Sequence, residues 1–403
     1  MKFARRTVLL GTLALGGTAR MFRAHGETRL DWAATLKKAR GQEVFFNAWA
    51  GDERINAYIA WAADELSKRH GIGLHHVKLG ATAEAVSRIL AEKAVGQARG
   101  SVDLLWLNGE NFAALKGRDL LYGPFLESVP SARYIDAANP TFTADFTVPI
   151  EGYEAPWGLA QLVFFRASRR VPESPDSLAK IAAWAAAHPG RFTYPAPPDF
   201  HGTTFLKQVL LDSYEDRTLF SRPADPAQFP AHTQKLWDYL DTLHPHLWRQ
   251  GKNFPKDSAQ HRQLVADGEA DIYFAFNPAD ASSAIAQKLL PPTIVPFTLQ
   301  GGTIANAHFL AIPANASSKE GALVAVDFLM SPEAQRRKQD PRIWGDPTIL
   351  DEARLPAAER DAFTALPLGP ATPRAEALGA KLAEPHPSWV MLLQQGWAKR
   401  YAA

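Results

Sequence analysis

Short apolar runs along the chain are each followed by a stretch in which apolar residues recur every three or four positions, the alternation of a strand with an amphipathic helix. DWAATLKKARG reads as a short helix, EVFFNAWAGDERINAYIAWAADELSKRHG as a strand then a helix, and IGLHHVKL as a strand. TAEAVSRILAEKAVGQARG is a helix ended by Gly100, and SVDLLWLNGENFAALKGRDLL gives a third strand and helix. Three such units in succession predict an α/β fold with a parallel sheet, because parallel strands need crossover connections that helices supply.

The pattern loosens from Tyr134 to Glu151, and EGYEAPWGLAQLVFFRASRRVPESPDSLAKIAAWAAAHPG then supplies a strand, a Pro-marked loop and a helix. Further on come the Trp-containing helix TQKLWDYLDTL and the helix, strand and helix of HRQLVADGEADIYFAFNPADASSAIAQKLL. A chain of 403 residues suits two lobes of roughly 150 to 200 residues each. The predicted division is an export signal at 1–24, the first part of lobe one at 25–155, lobe two at 156–297, and a return to lobe one with C-terminal helices at 298–403. The first crossing is placed near Glu154 to Leu162, and the return through VPFTLQGGTIANAHFLAIPANA near Pro296 to Leu310. The helix GALVAVDFLMSPEAQRR finishes lobe one, while the Pro- and Ala-rich tail from Trp344 is assigned to neither lobe.

Within lobe two, RFTYPAPPDFHGTTFLKQVLL predicts a strand running into Tyr194, a loop broken by Pro195, Pro197 and Pro198, and a helix reopening after Gly202, Thr203 and Thr204. In an α/β layer, strand ends and the following helix starts face the same side, so free N–H groups and side chains converge there on a ligand. Five junctions repeat the design: Asn47, Trp49, Gly51 and Asp52; Thr82 and Glu84; Asn108, Gly109, Glu110 and Asn111; Tyr194, Asp199, His201, Thr203 and Thr204; and Asn277, Pro278 and Asp280. Asp, Asn, Ser and Thr at such places also cap helices, which is the plain reading of Asp52 and Asp280. Five together, with Trp and Tyr interspersed, predict a cleft. Trp49 and Tyr194 are its candidate stacking faces, and Trp157, beside Gly158 at the presumed crossing, is a hinge or a cleft wall. Helix starts favour an anion, whereas the acids on the same loops beside aromatic rings favour a cationic ring, so the residues leave the sign of the solute open.

Composition narrows the partners. Lys and Arg number 44 against 42 for Asp and Glu, a net charge of +2 that gives no electrostatic reason to expect nucleic acid. In MKFARRTVLLGTLALGGTAR, basic residues precede the apolar run from Val8 to Leu15 and small residues follow, which predicts an export signal of the general secretory or twin-arginine type. No later run reaches the roughly 18 apolar residues needed to span a bilayer. With no cysteine there is no disulfide, thiolate metal site or acceptor for a lipid anchor, so a free periplasmic protein is expected.

A secreted hydrolase is the competing class. No G-x-S-x-G, H-E-x-x-H or G-x-x-x-x-G-K-[ST] occurs. His75 and His76 are strand neighbours that point to opposite faces, His244-Pro245-His246 is a turn, and His308 reads as a packed side chain. No enzyme, cofactor or metal is therefore expected.

The export signal, the crossing followed by VFFRASRRVPESPDSLAKI, the segment QLVADGEADI and the late FLMSPEAQRR helix resemble the type II periplasmic solute-binding proteins of ATP-driven importers. More closely, FNAWAGDERINAYIAW, HVKLGATAEAV, GSVDLLWLNGENFAALK, DFTVPIEGYEAPWGLAQLVF and FTYPAPPDFHGTTFLKQ are similar to the YnjB-type family, described as a thiamine-importer component. The resemblance implies two α/β lobes joined by crossing strands, a small-molecule solute in the cleft between them, and an ABC permease in the inner membrane as partner. It also implies a monomeric receptor that closes by hinge bending. Thiamine would place an aromatic ring against Trp49 and Tyr194 and its charge near Asp52, Glu110 or Asp199; ferric ion, polyamine and oxyanion receptors share the implied fold.

Overall fold

The computed structural model describes residues 30–402, and the predicted export signal lies outside them. In the first part of the chain, helices α1 (Trp32–Ala39), α2 (Glu53–His70), α3 (Thr82–Ala94) and α4 (Glu110–Lys116) alternate with strands β1 (Glu43–Trp49), β2 (Gly73–Leu79) and β3 (Leu104–Leu107). A small ribbon, β4 (Ala144–Asp145) and β5 (Val148–Pro149), precedes β6 (Glu154–Gln161) and β7 (Val163–Ala167). Helices α5 (Leu178–Ala187), α6 (Phe200–Asp212), α7 (Phe229–Leu243) and α8 (Ser258–Ala266) lead to β8 (Ile272–Ala275), α9 (Asp280–Ala286) and β9 (Ile294–Phe297). Then come β10 (Thr303–Ala311), α10 (Lys319–Met330), α11 (Pro332–Gln339), α12 (Ala357–Thr364), β11 (Lys381–Leu382) and α13 (Ser388–Tyr401).

β1 lies between β2 and β3, and all three are parallel, as the crossover spacing predicts. The sheet becomes mixed because β10 runs antiparallel to β3 and, on its other edge, to β6. β11 pairs with the start of β10. The second sheet, β8-β7-β9, is antiparallel throughout.

Apolar burial divides between these sheets. Val44, Phe46, Tyr58, Leu104, Trp157, Phe309 and the α10 residues Leu323 and Val326 form one core. A second, with Leu162, Phe164, Tyr194, Phe205, Trp389 and Trp397, lies on one face of the antiparallel sheet, and a third, with Phe165, Tyr273 and Ala281, on its other face. β6 gives Ala155 and Trp157 to the first core while Leu162, just beyond it, joins the second; β10 runs back from Ile304 in the second to Ala307 and Phe309 in the first. These two antiparallel strands are the covalent bridge between the lobes.

Local chemistry explains the ends. Asp52 caps α2 by accepting the Arg54 N–H, and Gly71 closes it in the left-handed region at φ 65, a conformation costly for other residues. Three expectations are corrected. α3 stops at Ala94, with Gly96 at φ +68 two residues on, well before Gly100. No strand runs into Tyr194: three prolines remove the ladder donors that a strand there would need, and the segment is held by single bonds such as Trp248 N–H to the Phe192 carbonyl. α6 starts at Phe200, capped by Asp199, so Thr203 and Thr204 lie inside the helix.

Candidate functional site

Helix starts from both sheets meet where the cores face each other. Asp52 pairs with Arg54, whose Nη2 also donates to Asp280 Oδ1 at 3.2 Å, so the start of α2 is bound to the start of α9. Arg262 Nη1 donates to the same oxygen at 2.8 Å and the Tyr273 hydroxyl donates to Oδ2 at 3.0 Å. Burial opposes ionisation of Asp280, but the Arg262 and Arg54 guanidiniums hold its carboxyl below the usual range; Arg54 does the same for Asp52. The Arg54 side chain is only 6% exposed, so this is a desolvated interlobe cluster and not a surface ion pair.

Beside it the Asn277 Nδ2 donates to the Trp344 carbonyl at 3.2 Å, and the Ser283 hydroxyl to the Pro341 carbonyl at 2.6 Å. The loop after α11 thus packs on α9. The same loop carries Asp346, buried against Lys338 and accepting from His308 Nε2 at 3.0 Å. His308 lies 5.0 Å from the Trp106 ring, so it is a packed, paired side chain, as the sequence reading has it.

A second polar cluster is richer in acid. Lys207, buried in the second turn of α6, donates to Glu384 Oε2 at 2.6 Å, and Asn306 Nδ2 donates to the other oxygen at 2.7 Å. The Lys207 Nζ lies 4.7 Å from the Phe146 ring, across the lobes, and 5.3 Å from the Phe200 ring. Further buried carboxyls couple electrostatically to this pair. Burial raises Glu110 above the usual range, with the Glu384 charge adding to the effect. Asp145, which accepts the Gly109 N–H at 2.6 Å, is pushed well up by burial and by the charges of Glu110 and Glu384. Behind it Glu154 is raised by burial and by Asp145. The β4–β5 turn that presents these groups holds Phe146 and Thr147 at φ 42 and 71, the two-residue turn whose twist suits a hairpin. Gly109 sits at φ 60, and a side chain there would strike the Phe146 ring.

The predicted junction residues fall into two groups. Trp49 is half-buried with its ring folded over Gly51, where an added Cβ would collide with it. Gly51, Asp52, Asn108, Glu110, Asn111 and Asn277 all lie at strand ends or helix starts with surface left to them. Thr82 opens α3 and its hydroxyl donates to the Trp106 carbonyl at 3.3 Å. Asp199 accepts the His201 and Gly202 N–H groups at 2.8 and 3.1 Å, and burial raises its carboxyl.

The others are withdrawn into cores. Tyr194 is fully buried; its hydroxyl bonds His244 Nε2 at 2.7 Å and accepts from Trp397 Nε1 at 2.8 Å, so no face remains for stacking. Trp157 is fully buried among Phe46, Trp106 and Trp344. Thr204 bonds the Phe200 carbonyl and Thr203 accepts from Gln394. The sequence reading missed Arg54, Asp145, Phe146, Phe200, Lys207 and Glu384. A lysine inside the apolar run FLKQVLL was the available signal, since a buried ammonium requires a partner.

An open groove of about 800 Å³ lies elsewhere, lined by Glu43, Phe45, Arg88 and Asp103 at the opposite end of β1 from Trp49. Six residues of strand separate the two, about 20 Å, so the groove is not part of the cleft.

Residues 61–372 match the family of bacterial extracellular solute-binding proteins. The chain is 42% identical over 395 residues to protein YnjB of Escherichia coli (strain K12), covering 98% of each. Among solved structures it is similar to the periplasmic binding protein AfuA of Actinobacillus pleuropneumoniae, solved with fructose-6-phosphate bound, at 13% identity and TM-score 0.62 over 90% of this chain and 99% of that one. It is also similar to the spermidine/putrescine substrate-binding protein PotD of Streptococcus pneumoniae, at 15% identity and TM-score 0.58 over 88% and 99%. The fold is thus that of a two-lobed periplasmic binding protein with a cleft between the lobes.

Proposed function

The chain belongs to the family of bacterial extracellular solute-binding proteins, and we propose that its solute is a small organic cation, held between the lobes and delivered to an inner-membrane ABC permease. The family binds and hands over solutes and performs no catalysis. In the proposal the receptor works as a monomer in the periplasm, with lobe one formed by 30–155 and the return from 298, lobe two by 156–297, and the C-terminal α13 packed on lobe two through Trp389 and Trp397.

One observation carries the sign of the charge. A single buried ammonium, Lys207, is bonded to Glu384, lies between the Phe146 and Phe200 rings, and is the cation whose charge reaches the buried Glu110 and Asp145 carboxyls. Carboxylates with aromatic faces make a box for a cation, and three acids against one lysine leave it short of positive charge. The other cluster, Asp52, Arg54, Arg262 and Asp280, is already balanced at two acids and two guanidiniums, so an anion gains little there. A flat ring carrying the charge suits these faces together with Trp49, and thiamine is the solute we favour.

A thermal-shift screen of the purified protein with thiamine, spermidine, ferric ion and fructose-6-phosphate tests the reading. A solute at 100 times its Kd stabilises the native state by about 2.7 kcal/mol, a plain rise in Tm. Thiamine or spermidine is expected to give that rise; a response to fructose-6-phosphate alone overturns the cationic reading and leaves the family assignment intact.

A further inference from the structure

Glu154 stands at the start of β6, fully buried, and neither carboxyl oxygen has a hydrogen-bond partner among the described residues. The same is true of Asp145 Oδ1 and of the Thr147 hydroxyl, two residues further round the β4–β5 turn. Asp145 is itself 1% exposed and is the acid that acts on Glu154 most strongly. Buried polar groups are nearly always paired, so orphan oxygens on the β4–β5 turn and at the start of β6 call for a donor or a cation.

The nearby cations are committed elsewhere. Lys116, on α4, bonds the Pro149 carbonyl and pairs with Glu151 at 2.8 Å; its charge reaches Glu154 but it makes no hydrogen bond to that carboxyl. Lys207, on α6, is bound to Glu384. Glu110, at the start of α4, and Glu384, in the tail, add only negative charge toward Asp145. Among the described residues no group of three or more His, Cys, Asp and Glu is gathered for a metal, and the orphan atoms here are all oxygen. Two carboxylates with a hydroxyl oxygen suit an alkali or alkaline-earth ion or an ammonium.

We propose that Asp145 and Glu154, behind the start of α4, form a subsite for one compact cation, supplied either as a free metal ion or as the protonated amine end of the solute. The amine source rests on the reading of the solute as a cation; the metal source does not. Either occupant would lie directly behind Gly109, whose N–H Asp145 holds, and would thereby fix the start of α4 and Glu110 at the cleft.

The test compares the Tm of the protein in sodium, calcium, magnesium, methylammonium and tetramethylammonium chlorides at equal ionic strength, for the natural chain and for Glu154→Gln and Asp145→Asn. Tetramethylammonium, bulky and without N–H donors, is the reference. At least one compact cation is expected to raise the Tm of the natural chain above that reference. The rise is expected to vanish in both variants, which should fold at or above the natural Tm in the reference salt because a buried unpaired charge has been removed. A rise with a metal salt identifies a free ion; a rise with methylammonium alone identifies the solute's amine. Equal Tm values in all five salts, or a rise retained by whichever variant folds, overturn the subsite. Equal Tm values in the five salts beside a thiamine- or spermidine-induced rise in the solute screen would remove the subsite and leave the solute reading standing.

Discussion

Lys207 occupies a place in FLKQVLL where the pattern of the helix asks for an apolar side chain, and its burial makes Glu384 obligatory. Lys207→Met leaves that carboxylate buried and uncompensated, and is expected to cost about 3–5 kcal/mol in urea unfolding. Lys207→Met with Glu384→Gln should recover most of this; a double variant no better than the single would deny the pairing. Tyr194 gives the opposite kind of test. Tyr194→Phe strands the Trp397 N–H and frees His244, an expected loss of about 1–3 kcal/mol in stability with no change in solute affinity. Trp49→Ala, by contrast, should weaken solute binding by about 1–3 kcal/mol in calorimetry while the fold persists, since its ring retains open surface.

At the scale of elements, each junction depends on backbone that only certain residues permit. Gly202 lets the first turn of α6 press against the Pro195 carbonyl, and a Cβ there would overlap it. Gly202→Ala is therefore expected to destabilise by about 1–3 kcal/mol and to lower solute affinity by displacing Phe200; a variant with natural Tm and affinity would show that the turn yields freely. The strand–helix alternation was legible because each element follows its own period, and so were four of the helix starts. The start of α6 was misread by a few residues because Phe200 and His201 look like loop, while the N-cap that decides the boundary is the preceding Asp199. Tyr194 and Trp157 illustrate a different limit. An aromatic at a loop or a crossing carries the same letter whether it faces a cleft or a core, and tertiary packing, that of α13 and His244 on Tyr194 and of Phe46, Trp106 and Trp344 on Trp157, buries these two. The acid cluster was hidden for a related reason: Glu110, Asp145, Lys207 and Glu384 come from four separate stretches of the chain, and only the fold relates them.

For the whole molecule, the contact of the α2 and α9 starts is an electrostatic latch between the two lobes. Arg54→Asp is expected to open the unliganded protein, seen as a larger radius of gyration in small-angle scattering and a solute Kd weaker by about tenfold, or 1.4 kcal/mol. Unchanged scattering in this variant would remove the latch. The two clusters also respond to pH with opposite sign. Asp52, Asp280 and Asp346 are held below their unfolded range, so their contribution is present above about pH 4 and is lost as pH falls through their folded values. Glu110, Asp145 and Glu154 are held above theirs, so they bind protons more tightly when folded, and stability falls as pH rises through those values. Glu154→Gln should accordingly flatten the decline on the neutral side, and its advantage over the natural chain should shrink as pH approaches about 4.5. The most direct test of the receptor as a cation binder is a crystal structure with whichever screened compound stabilises it. The expected result is solute between the lobes with its positive charge against Glu110, Asp145 or Glu384 and the Phe146 or Phe200 ring. An anionic group seated on Arg54 and Arg262, with the acid cluster untouched, would contradict it.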